Sequence, residues 1–172
     1  MGLTLEQIIV FLLDAPMFGD LDAQELSQIV HIMQVQNLRA GQASFDEGDP
    51  GDAWYVVYEG EVEVVKRTED VENVIVTLGP RACFGEMAIL DGAPRSAAVR
   101  AKVPTTLFRF PRAEFLKLLQ ANNLSAFKLV HQMALVLAKR QRQTTSRLVN
   151  LLAQAAAREV LGGLEPAKSD AE

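Results

Sequence analysis

The chain has 172 residues and a formal net charge of −5, and 49% of its residues are apolar. That suffices for one globular core, while the acidic balance argues against nucleic acid held by charge alone. The apolar run at 8–13 is far shorter than the roughly 20 residues a membrane helix needs, and Glu6 and Asp14 flank it.

Residues 1–4 lack the basic start of a signal peptide, and the single cysteine, Cys83, forms no internal disulfide. A cytoplasmic protein without membrane insertion is expected, with Cys83 as buried filler beside Phe84. Thr4 followed three positions later by Gln7, with apolar residues at 5, 8, 9 and 12, predicts a first capped helix. Asp22 and Glu25 repeat the signal ahead of the stripe Leu26, Ile29, Val30 and Met33, which predicts a second helix; His31 reads as a boundary residue. From Gln34 the texture changes to short segments punctuated by turn residues about every eight to twelve positions, the pattern of an antiparallel barrel or sandwich. Residues 61–64, Glu-Val-Glu-Val, alternate as a half-exposed strand should.

Residues 105–110 form a last strand, and Pro111 opens a short helix through Gln120. Asn122 or Asn123 then caps a long helix to about Leu161, stopped by Gly162 and Gly163; the polar tail 164–172 is expected to be disordered.

Chemistry concentrates in residues 84–101, FGEMAILDGAPRSAAVRA. A helix start near Gly85, Glu86, Met87 and Ala88 offers unpaired N–H groups and the positive end of a macrodipole, a cradle for phosphate. Arg95 can close over that anion with a forked guanidinium, and Ser96 adds a hydroxyl. A carboxylate beside a phosphate is repulsive unless it has its own partner, and for Glu86 a sugar hydroxyl is such a partner. One phosphate charge next to a free hydroxyl describes a 3',5'-cyclic nucleotide with its 2'-OH. The plainer alternative is a strand, a turn and a hairpin serving as scaffold only.

This stretch resembles the phosphate-binding cassette of the cyclic nucleotide-binding domains of protein kinase A regulatory subunits, catabolite activator proteins and cyclic nucleotide-gated channels. That cassette reads roughly F-G-E-x-A-L, a turn, then P-R-x-A-x-V-x-A. Phe84, Gly85, Glu86, Ala88, Pro94, Arg95, Ala97, Val99 and Ala101 fall in place. The likeness extends over 17–120, because Gly41, Gly48, Gly51 with Asp52, and Gly60 stand where the family turns. It implies an α+β fold: an antiparallel β-roll at 34–121, a jelly-roll-like barrel, carrying the cassette at 84–101. N-terminal helices at 1–33 precede the roll, and a lid or dimer helix at 122–163 follows it. It implies that Arg95, Ser96 and the amides of Gly85 and Ala88 hold the cyclic phosphate while Glu86 takes the ribose. Ser96 permits cAMP or cGMP; serine followed by Ala97 is similar to the activator branch and favours cAMP.

A seven-residue frame along the long helix places Phe127, Val130, Ala134, Leu137, Gln141, Thr144, Leu148, Leu151 and Ala155 at core positions, apolar at both ends and polar between. The resemblance implies that this helix lids the purine, and that in the activator branch it also joins two subunits. Counted without gaps from Arg95, the base-contacting region falls on Arg140 and Gln141, with Thr144 beside them. Alternatively Lys139, Arg140, Arg142 and Arg147 are a solvated face and the polar core position only sets register.

No catalytic motif is present: there is no phosphate-loop G-x-x-x-x-G-K-[ST], no G-x-S-x-G and no H-E-x-x-H, and the two histidines fall on helices. The expected protein is therefore not an enzyme and holds no metal or cofactor beyond its ligand. Too few residues follow Leu161 for a DNA-reading domain, so DNA is not expected as a partner. The sequence reads as a stand-alone cyclic nucleotide sensor that acts on an unidentified effector protein and can form a homodimer through the C-terminal helix. The alternative is a protein interaction module on the same fold that has lost its ligand.

Overall fold

The computed structural model describes residues 3–68 and 71–162. Helices α1 (Leu5–Leu13) and α2 (Ala23–Val30) each begin on a reciprocal capping box. The Gln7 amide donates to Thr4 Oγ1 at 3.2 Å and the Thr4 amide to Gln7 Oε1 at 3.0 Å; the Asp22–Glu25 pair repeats this at 2.8 and 3.1 Å. Each box satisfies amides that a helix start leaves orphaned. The inward stripes are Ile8 and Leu12 on α1, and Leu26, Ile29 and Val30 on α2.

Eight strands follow: β1 (Gln34–Leu38), β2 (Ala43–Phe45), β3 (Ala53–Glu59), β4 (Val62–Thr68), β5 (Val71–Leu78), β6 (Cys83–Phe84), β7 (Ala98–Ala101) and β8 (Thr105–Pro111). They form two antiparallel four-stranded sheets, ordered β1-β8-β3-β6 and β2-β7-β4-β5. This is the double-sheet form of the jelly roll, the sandwich of the two architectures that the turn spacing allowed; the sheets stay open at their edges and do not close into the barrel that the resemblance implied. Leu38, Ala53, Tyr55, Val57, Phe84 and Leu107 of the first sheet meet Val62, Val99 and Ala101 of the second.

The first sheet is buried on its outer face as well. There Trp54 stacks on Phe110 with centroids 4.2 Å apart, and Phe18 and Phe115 pack against Trp54. Burial on both faces explains why β3 reads as a continuous apolar run rather than an alternation. In β4 the alternation expected from 61–64 holds, with Val62 buried and Val64 packed on the core opposite Val99 of β7, and a register shift against β5 follows between Val64 and Val65.

Three helices complete the chain: α3 (Met87–Asp91), α4 (Arg112–Gln120) and α5 (Leu124–Gly162). Pro111 ends β8 and is the N-cap of α4. Of the two candidate caps for α5, Asn123 does the work: its Oδ1 accepts from the Ala126 amide at 3.0 Å, while Asn122 adopts a left-handed φ of 56°. The expected stop at Gly163 and the tail 164–172 lie outside the described residues.

By internal contacts the chain divides after Met133. In the first unit, α5 buries Ser125, Ala126, Leu129, Gln132 and Met133. That stripe is offset from the seven-residue frame, whose Phe127 is 47% exposed. Polar ties to the N-terminal segment set the rotation. Asn123 donates to Gln28 at 2.6 Å, Lys128 pairs with Glu25 at 2.5 Å, and Gln132 donates to Asp20. In the second unit, Leu135, Leu148, Val149, Leu151 and Leu152 are exposed.

Candidate functional site

The segment between β6 and β7 folds against the turn that precedes β3. Gly85 sits at φ +78°, and a Cβ there would stand 2.8 Å from Arg95 Nη1, so both backbone and space demand glycine. A Cβ on Gly51 would stand 2.2 Å from the Ala88 Cβ, which puts α3 directly on the 48–52 turn. Gly92, at φ +71°, ends α3 in the left-handed conformation, and the Ala93 amide donates to Asp91 Oδ1 at 2.9 Å.

Arg95 is the centre of this arrangement. Its amide donates to the Asp49 carbonyl at 2.9 Å, and its own carbonyl accepts from the Gly48 amide at 2.9 Å. The residue is only 4% exposed. Nη1 donates to the Gly85 carbonyl at 3.1 Å, while Nη2 donates to the Ala53 carbonyl at 2.6 Å and to Asp52 Oδ1 at 3.2 Å. The Phe45 ring lies 4.0 Å from the guanidinium carbon, a cation–π contact. Nε is buried without an acceptor.

Glu86 is 2% exposed and is the N-cap residue of α3; its carbonyl accepts from the Ile89 and Leu90 amides at 3.1 and 3.3 Å. The amides that open α3 have no preceding turn to bind, as at any helix start. Ala88 is buried, and Ser96 is exposed with its carbonyl accepting from Lys66 Nζ at 2.8 Å. The structure therefore gathers Gly85, Glu86, Ala88 and Arg95 in one compact corner of the first unit. Arg140, Gln141 and Thr144 lie on α5 in the second unit, where the Thr144 hydroxyl donates to the Arg140 carbonyl at 3.0 Å. Among the described residues, no group of three or more His, Cys, Asp and Glu could hold a metal ion, and no helix is long and apolar enough to cross a membrane.

Two participants escaped the sequence reading, Asp52 and Arg109. Asp52 bridges two arginines: Oδ1 faces Arg95 Nη2 at 3.2 Å and Oδ2 accepts from Arg109 Nη2 at 2.6 Å. Arg109 Nη1 donates in turn to Gln34 Oε1 at 2.8 Å. Cross-strand register aligns Gln34 with Arg109, Arg109 with Tyr55, and Tyr55 with Phe84. Partners of this kind share a face, so Arg109 stands on the inner face of the first sheet. The signal was available in β8, because Arg109 follows the inward Leu107 by two positions. Burial presses the Arg109 guanidinium toward its neutral form, but the Tyr55 side chain and the Asp52 carboxylate outweigh it, so its pKa lies above the ordinary value.

This corner lies within the span that matches a known family. Residues 35–122 match the family described as cyclic nucleotide-binding domain. A cAMP-dependent protein kinase regulatory subunit of Yarrowia lipolytica is 36% identical over 109 residues, 63% of this chain and 28% of the fungal protein. The chain thus spans under a third of that relative's length. Among solved structures, the catabolite activator protein of Thermus thermophilus aligns with a TM-score of 0.71 at 31% identity, over 81% of this chain and 63% of that one. The regulatory domain of Toxoplasma gondii PKA, co-crystallised with cAMP, aligns with a TM-score of 0.61 at 32% identity, over 66% and 43% of the two chains.

Proposed function

Because the chain belongs to the cyclic nucleotide-binding domain family, we propose that it is a sensor that binds cAMP in preference to cGMP and signals through movement of α5. The observation that carries this reading is the Arg95 guanidinium, 4% exposed and with a buried Nε that has no acceptor. An unpaired buried donor on a charged group is costly, and an anionic oxygen arriving beside it removes the cost.

In this reading the cyclic phosphate meets Arg95, the amides of Gly85 and Ala88, and the Ser96 hydroxyl. The Glu86 carboxylate accepts from the ribose 2'-OH, which gives that buried acid a role beside an anion. Arg140, Gln141 and Thr144 cap the purine, and the ligand biases α5 between two positions. The cAMP-bound Toxoplasma relative supports cAMP as the ligand. Exposed Leu148, Val149, Leu151 and Leu152 support a second task for α5 as a homodimer contact, with an effector protein receiving the signal.

The test is calorimetric titration of cAMP, then cGMP, into protein refolded free of carried-over nucleotide, with light scattering before and after. Binding in the micromolar range or tighter, stronger for cAMP, is expected. No heat and no thermal shift with either nucleotide would leave a protein interaction module on this fold.

A further inference from the structure

We propose that Arg109 is a positioning residue that draws the Asp52 carboxylate away from Arg95 and so keeps the Arg95 charge available to an anion. The inference rests on the cyclic nucleotide reading for its ligand and on the structure for its geometry. Asp52 is the one acid bonded to the Arg95 guanidinium among the described ion pairs, and it is 58% exposed while the Arg95 side chain is 2% exposed. Left alone, such a carboxylate competes with an incoming phosphate for the same guanidinium. Here it is shared, and the shorter contact, 2.6 against 3.2 Å, goes to Arg109.

Arg109 is itself fixed. Gln34 accepts from its Nη1 at 2.8 Å, and only 23% of its side chain is exposed.

The experiment is a cycle of variants titrated with cAMP: Arg109→Gln, Asp52→Asn, the two together, and Arg109→Lys. Arg109→Gln should weaken binding about tenfold, Arg109→Lys should recover most of the loss, and the double variant should return close to wild type because the competitor is gone. A simple packing role for Arg109 predicts instead that the double variant is no better than Arg109→Gln, and that outcome overturns the proposal, as does unchanged binding in Arg109→Gln. Should Arg109→Gln fail to fold, Asp52→Asn alone decides: affinity at or above wild type supports the proposal, and a clear loss refutes it.

A ligand-free readout separates this inference from the function beneath it. The NMR signal of the Arg95 Nε–H should move in Arg109→Gln and return in the double variant. If the wild type binds neither cyclic nucleotide, the functional reading fails while that signal still reports on Asp52; if the signal is unmoved, the inference fails whatever the ligand.

Discussion

Truncating Arg95 to alanine probes the free fold and the ligand contact together, and the two effects can be worked out separately. In the free protein the change strips donors from the Gly85 and Ala53 carbonyls and removes the cation over Phe45. A buried acceptor left without a donor costs about 1 to 3 kcal/mol, and water entering the vacated volume holds each carbonyl near the low end. The sum is about 2 to 3 kcal/mol, which for a chain of this size lowers Tm by about 4 to 12 °C. On the ligand side, a desolvated partner of the phosphate is gone, a loss of about 2 to 4 kcal/mol, or roughly 30-fold to 1000-fold in affinity. A thermal scan without nucleotide reads the first number, and calorimetric titration well below the variant's Tm reads the second. A variant that melts earlier yet binds cAMP as the wild type does would refute the phosphate role and leave Arg95 as a structural strut.

Glu86→Gln should weaken cAMP about tenfold while leaving the affinity for 2'-deoxy-cAMP nearly unchanged; equal losses for both ligands would remove the ribose from the picture. Gly51→Ala drives a methyl into the Ala88 Cβ, 2.2 Å away on the unrelaxed backbone, and should cost about 1 to 3 kcal/mol of stability in urea unfolding; an unchanged midpoint would mean that α3 is free to shift. The Lys128 ammonium bonded to Glu25 holds that carboxyl below its usual range. A lowered folded-state pKa stabilises the fold above the unfolded-state value and is lost as pH falls, so the contribution should fade below about pH 4.3. Glu25→Gln should flatten that acid limb, and an identical limb in unfolding curves taken across the pH series would count against the pair.

What the sequence disclosed depended on how far apart the partners lie along the chain. The capping boxes at Thr4 and Asp22 close over three residues, and the cassette from Phe84 to Ala101 packs its turns, its acid and its arginine into one contiguous stretch. Such local chemistry is written in residue order. Asp52 and Arg109 are 57 positions apart and meet only because β3 pairs with β8 in a particular register. Nothing in either neighbourhood announces the other.

The seven-residue frame on α5 misplaced the first buried turns for a related reason. Apolar spacing offered Phe127, but ties from Gln28, Glu25 and Asp20 rotate the helix so that Ala126, Leu129 and Met133 go inward. A helix with apolar residues on more than one side takes its rotation from its neighbours. Likewise the bulge at Val64 and Val65 depends on pairing that an Glu-Val repeat does not encode.

The reciprocal backbone bonds between Gly48, Asp49 and Arg95 make the 48–52 turn a ruler as well as a support. From those two anchors the chain runs to Asp52, whose amide donates to the Pro50 carbonyl at 3.0 Å and whose carbonyl accepts from the Arg112 amide at 2.7 Å. One residue inserted between Asp49 and Asp52 would leave Asp52 tied to the Arg112 amide but displace the turn from its anchors on Arg95 or from its close contact with Ala88. Loop length is usually the freest variable in a β-rich domain, but here the number of residues in a surface turn is fixed by backbone anchors at both of its ends, and lineages of this protein should keep its length.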